Sequence, residues 1–332
     1  MDAKRKQLEA MMKEEERQYE ASRVQRQKQQ QLERQELDRQ LQQSARELEA
    51  EHVRVREMLK KQSEEAGLAA SYVIHAFSAE AQAALPQQVL SRSADPNFHD
   101  ICDALMNLNA QRADGKPGKG EEMLCPRDGL PGCSFVDAEE AKNRSKATHF
   151  VSWCWSYSLQ QFVSAVQAYL TRTGTKAGET FLWVCFFCNN QYRIKRDKTL
   201  TGTSGLRDAF ESHLISAGRM LVMLDDYLEP QYINRVWCVF EMFVSIDRKI
   251  PREIILPAAA ENRLANSAIS PMQMKARFRD LDVRNAKASS ANDERVIKST
   301  IEKHIGFDRV NQTVQQSLTD WVATAFSEIM RR

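Results

Sequence analysis

The sequence predicts an α/β protein: a five-stranded parallel sheet flanked by helices, behind a long N-terminal helix. Three observations predict it. Short apolar runs alternate with amphipathic helical patterns from about residue 147 onward. Residues 1–65 are rich in Glu, Gln, Lys and Arg and contain neither Gly nor Pro. The run Met220 to Leu224, closed by Asp225 and Asp226, is too short for a helix and reads as a strand buried on both faces.

Three segments follow from these patterns: a charged helix or coiled coil over 1–65, a helical and turn-rich connector over 66–146, and the α/β domain over 147–332. In the first, Leu41, Ala45, Leu48, Val55 and Leu59 fit alternating steps of four and three, with His52 in one seam position. Upstream, Arg34 and Asp38 occupy positions that should be apolar. A coiled coil over about 37–60 and self-association through it are therefore expected, with a solvated single helix as the alternative. Gly67 is read as the end of this helix.

In the connector, helical patterns run over Tyr72 to Leu85, ending at Pro86, and over Phe98 to Leu108. Residues 113–120 form a loop by their Gly, Pro and Asp content. The stretch from Cys125 to Cys133 is read as a turn-rich entry segment; its two cysteines lack a second pair nearby, as a metal site would need.

From His149 the strands and helices alternate. Phe150 and Val151 lie in a first strand ending at Ser152, Trp153 and Trp155, and Leu159, Phe162, Val163, Val166 and Leu170 share one helix face. Phe181 to Cys188 reads as a buried second strand, in which Cys185 and Cys188 are core thiols on opposite faces. Residues 189–205 read as a polar loop carrying Arg193, Lys195, Arg196 and Lys198. A helix over Leu206 to Ala217, the third strand and a helix with Ile233, Trp237, Phe240 and Val244 on one face come next. Glu241 falls roughly 40° beyond Trp237 on that helix, at the flank of its apolar stripe. Arg252 to Pro257 is a fourth strand, Leu281 to Ala288 a short fifth edge strand, and two helices close the chain.

A flavodoxin-like strand order, 2-1-3-4-5, is the expected solution. Such a sheet binds ligands at the carboxyl ends of its first and third strands, here Ser152 to Trp155 and Asp225 to Tyr227. A carboxylate beside an indole near that crevice, Glu241, is a candidate for perturbed acidity.

The segment Trp237-Cys238-Val239-Phe240-Glu241 resembles the W-C-x-x-E motif of TIR domains, and the likeness extends over about residues 147–330 through FVSW at 150–153 and the third strand with its loop. This resemblance implies a signalling module that self-associates or, alternatively, an NAD glycohydrolase. In the enzymatic reading Glu241 is catalytic, holding the ribose hydroxyls and stabilising the oxocarbenium-like charge as nicotinamide leaves. Ser152, Trp153, Trp155, Asp225, Tyr227 and Trp237 would then contact NAD, which is a substrate; no cofactor is required. The R-D-x-x-P-G pattern at 127–132 spells a family loop but precedes both strands it should follow, so it is assigned to the turn. A phospho-acceptor receiver is disfavoured because its acidic pair after the first strand is absent.

The net charge of +2 and the lack of interleaved aromatics give no support for nucleic-acid binding. The seven cysteines are scattered, no apolar run follows the first residues, and no run is long enough to span a membrane. A cytoplasmic protein with free thiols and without a metal site is expected.

Overall fold

The computed structural model describes residues 2–93, 95–108, 112–197, 206–267 and 269–329. The chain divides into two compact units, Met1–Leu59 and Lys60–Arg332.

Helix α1 (Asp2–Glu65) accounts for all of the first unit. Ion pairs between residues three apart, such as Arg39 with Glu36 and Arg54 with Glu51, run along it. Leu41 and Leu48 are each 60% exposed and Val55 38%. The Leu59 side chain of the expected seam lies outside the described residues.

The second unit is built on a six-stranded, mostly parallel sheet. Its strands are β1 (Ala66–Ala69), β2 (Arg144–Lys146), β3 (His149–Ser152), β4 (Phe181–Trp183), β5 (Met220–Met223) and β6 (Arg252–Ile255), in the order β2-β1-β4-β3-β5-β6. β4, β3, β5 and β6 run parallel, while β1 is antiparallel to both its neighbours. Within the parallel set the spatial order is second, first, third, fourth.

Two strands therefore come from the segment read as a connector. Gly67 does not end a helix by a left-handed cap; it sits in β1, where a Cβ would lie 2.7 Å from the backbone of Leu182 in β4. Its missing side chain lets the two strands pair. After β1 the chain is helical through Ala84 and again in α2 (Phe98–Leu105), whose N-cap Asn97 accepts from the amides of His99 and Asp100.

Helices cover both faces. α3 (Leu159–Thr173) begins at a Ser158–Gln161 capping box and ends at Gly174, which takes φ 67° as the left-handed cap. α4 (Leu206–Ala217) leads into β5, and α5 (Val236–Asp247) follows it. α6 (Ala258–Ala265), α7 (Pro271–Arg279), α8 (Ala291–His304) and α9 (Phe307–Ile329) complete the chain. Adjacent side chains of β6 mark the two faces: Glu253 meets Arg172 of α3 at 2.6 Å, and Arg252 Nε donates to Ser317 Oγ of α9 at 3.3 Å.

Three expectations are corrected. The second strand stops at Trp183, and Cys185–Cys188 is a helical turn. A continuing strand would send Phe186 and Phe187 to opposite faces. The turn instead buries both rings, 5.2 Å apart, against Phe77 and Phe135. Cys185 and Cys188 are thus not mid-strand residues, although burial still pushes the Cys185 thiol up to about 12.

Residues 191–197 are helical rather than loop; Lys198 and the rest of that stretch to Gly205 lie outside the described residues. Its cations are paired: Arg193 forks onto both oxygens of Asp128, and Lys195 meets Asp103. The turn at 125–133 is held by this helix.

No fifth parallel strand forms over Leu281 to Ala288. Side chains of α9 satisfy that backbone instead: Val283 N donates to Asn311 Oδ1 at 2.9 Å, and Gln315 Nε2 donates to the carbonyl of Leu281 at 2.8 Å. A single parallel bridge, Arg235 to Lys287, remains.

Candidate functional site

Ser152 closes β3 and is fully buried. α5 lies against the end of this strand and brings Glu241 to it: Ser152 Oγ and Glu241 Oε2 are 2.5 Å apart. A short 3₁₀ turn, Gln231–Asn234, adds Tyr232, whose hydroxyl is 2.7 Å from Ser152 Oγ and donates to the carbonyl of Cys238 at 2.9 Å. The residue Glu241 keeps some surface, but its carboxyl group is enclosed. Burial raises its pKa from 4.5 to about 8, and the Ser152 hydroxyl opposes that shift. Burial likewise pushes the Tyr232 phenol well above its usual range.

Three contacts link Glu241, Ser152, Tyr232 and the Cys238 carbonyl, and a carbonyl only accepts. Ser152 and Tyr232 supply one proton each, so an ionised Glu241 leaves one contact unmade. Ser152 Oγ donates to Glu241 Oε2 and the Tyr232 hydroxyl to the Cys238 carbonyl; a proton on Glu241 would be the third that the cluster could use. Burial disfavours the charged carboxylate and so favours the protonated form of Glu241, while the Ser152 hydroxyl favours the ionised one.

A thiol layer lies beside this chain. Cys238 Sγ is 3.7 Å from Cys154 Sγ and 3.3 Å from the carbonyl of Trp153. Burial raises the Cys238 thiol well above its usual range.

The other sequence-predicted residues have separate neighbourhoods. Trp153 is buried edge-on against Phe98 at 4.4 Å and packs on Phe162. Half-buried Trp155 donates to Cys185 Sγ at 3.4 Å and packs on Phe186. Trp153, with 5% of its surface exposed, offers no free face for stacking. Asp225, at the end of β5, accepts from the backbone amide and the side chain of Gln231 at 2.9 and 2.8 Å. Asp226 accepts from the amides of Leu228 and Glu229, so both aspartates shape the turn that follows β5. Tyr227 is buried. Trp237, one turn before Glu241, is half-buried against the core near Asp293 of α8.

The structure thus brings together Ser152 and Glu241 from the predicted set and adds Tyr232 and Cys154. Tyr232 gave no signal in sequence, because its role depends on a hydroxyl meeting a residue 80 positions away. Among the described residues no group of three or more His, Cys, Asp or Glu side chains is placed to hold a metal ion. A cavity of about 550 Å³ lies elsewhere, along β6 between α6 and α9.

The chain matches no known family, no curated protein and no solved structure.

Proposed function

We propose that the protein is a self-associating interaction module with a TIR-like α/β domain, assembled through α1. The observation that carries this reading is the stripe of Leu41, Leu48 and Val55, seven residues apart and exposed on α1. Burying such a stripe against a second copy recovers about 1.5–3 kcal/mol per large apolar side chain. The TIR-like part rests on the W-C-x-x-E segment, on the spatial order of the four parallel strands, and on the meeting of Ser152 with Glu241. A flavodoxin-like arrangement belongs to the same proposal. Light scattering after size exclusion tests it: wild type should run as a dimer or larger, and a Leu41→Glu/Leu48→Glu variant as a monomer. A monomeric wild type at tens of micromolar would sink it.

The second reading, an NAD glycohydrolase, is supported by Glu241 and Ser152 meeting at the carboxyl end of β3. It asks for an ionised carboxylate open to ribose, whereas the Glu241 carboxyl is enclosed and its burial disfavours the ionised form. Nicotinamide release from NAD by wild type, lost in Glu241→Gln, would favour this reading over the first. A cytoplasmic setting suits either, since all seven cysteines are free thiols. Among the described residues no helix is long and apolar enough to cross a membrane.

A further inference from the structure

The sheet is open where a fifth parallel strand was expected. Pro251 and Ile255 face β5, since their carbonyls accept from Met220 N at 2.8 Å and Leu224 N at 3.0 Å. By the alternation of a parallel ladder, the amides and carbonyls of Arg252 and Ile254 point away from the sheet. No described strand pairs with that edge. The 550 Å³ cavity runs along it, with β6 as floor, α6 as one wall through Leu264, and α9 as the other through Trp321 and Ala325.

The volume sets the size of an extended occupant. At about 3.3 Å rise, 4.8 Å spacing and 10 Å depth, a strand residue fills about 160 Å³. The cavity therefore holds about three to four residues, the length of β6 itself. The charges identify its chemistry. Arg172 is already satisfied by Glu253 at 2.6 Å and Glu261 at 3.0 Å. Lys249, at the entry to β6, is exposed and makes no ion pair among the described residues. Burial lowers the pKa of the Arg252 guanidinium, whose Nε donates to Ser317 Oγ at 3.3 Å, with Asp320 at longer range.

We infer that this groove is a docking site for an extended peptide of another protein. The peptide adds to β6 as a seventh strand, apolar in its centre and acidic at the end that meets Lys249. Main-chain hydrogen bonds to Arg252 and Ile254 supply affinity, while Leu264 and Trp321 take alternate side chains. This inference is independent of assembly through α1.

Selection of a random octapeptide display library against the full-length protein tests it, with Thr324→Trp, a groove-filling change at an exposed α9 position, as the counter-target. Peptides enriched on wild type alone should alternate β-branched residues and carry Asp or Glu at one end. Methylating alternate backbone nitrogens of the best peptide should weaken binding at least tenfold, and Lys249→Glu should weaken it about threefold to tenfold. Wild type and Thr324→Trp should have equal melting temperatures, so loss of binding reports the groove. No enrichment that Thr324→Trp abolishes would overturn the inference. Equal binding by the methylated peptide would also overturn it, because side chains alone would then dock. Loss of self-association in Thr324→Trp with no peptide enriched would reassign the edge to a second copy of this chain.

Discussion

Ser152 Oγ donates to Glu241 Oε2 at 2.5 Å across 89 residues of sequence, inside an enclosure that disfavours the ionised carboxylate. Burial in the folded state raises the Glu241 pKa from 4.5 to about 8, so the fold binds the proton more tightly than the unfolded chain. The associated stability is full below about pH 4.5, falls as pH rises, and is gone above about pH 8. Urea titrations of wild type at pH 5, 6.5 and 8.5 should show falling stability from this group. Glu241→Gln, whose amide donates to Ser152 at every pH, should have a flatter profile. Parallel profiles for the two proteins would show that Glu241 is ionised in the fold.

Tyr232→Phe removes the middle of the same chain and leaves the Cys238 carbonyl without its hydroxyl donor. The loss should be about 1–3 kcal/mol in urea unfolding. Combined with Ser152→Ala the cost should be less than additive, because the two side chains share one bond.

Gly67→Ala should destabilise the fold by about 1–3 kcal/mol, since the new methyl would meet Leu182 backbone at 2.7 Å. Gly174→Ala, which has open space but φ 67°, should cost about 1 kcal/mol. Equal thermal shifts for the two would show that β1 does not press on β4.

Arg193→Lys should lose about 1 kcal/mol, because an ammonium cannot fork onto both oxygens of Asp128 or reach the carbonyls of Leu130 and Pro131 together. Limited proteolysis near residue 129 should speed up in the variant. An unchanged cleavage rate would mean that the helix over 191–197 does not hold the turn.

How much of this was legible depended on whether a residue's partners are local. β3, β5 and β6 and helices α3 and α5 were visible because each carries its own apolar run or stripe. β1 and β2 were not, because Ala66–Ala69 and Arg144–Lys146 show no alternation, and only pairing with β4 and with each other makes them strands. β4 was overestimated because an apolar run through Phe186 and Phe187 reads alike whether it continues or turns. The expected fifth strand had suitable residues in Leu281 and Val283, but Asn311 and Gln315 reached their backbone from α9. In the site, Glu241 was found from its place beside an apolar stripe, while Tyr232 was not, since nothing in its neighbours announces a shared hydroxyl.

The two margins of the sheet differ, and the difference sets a valence. The β2 margin is three residues long, Arg144, Ser145 and Lys146, and short charged strands of this kind discourage further pairing. The β6 margin is uncharged at Ile254 and recessed between two helices. A strand received at β6 would lie between α6 and α9, whereas one at β2 would have to pair beside Arg144 and Lys146. The fold can take a guest without becoming the seed of a fibre.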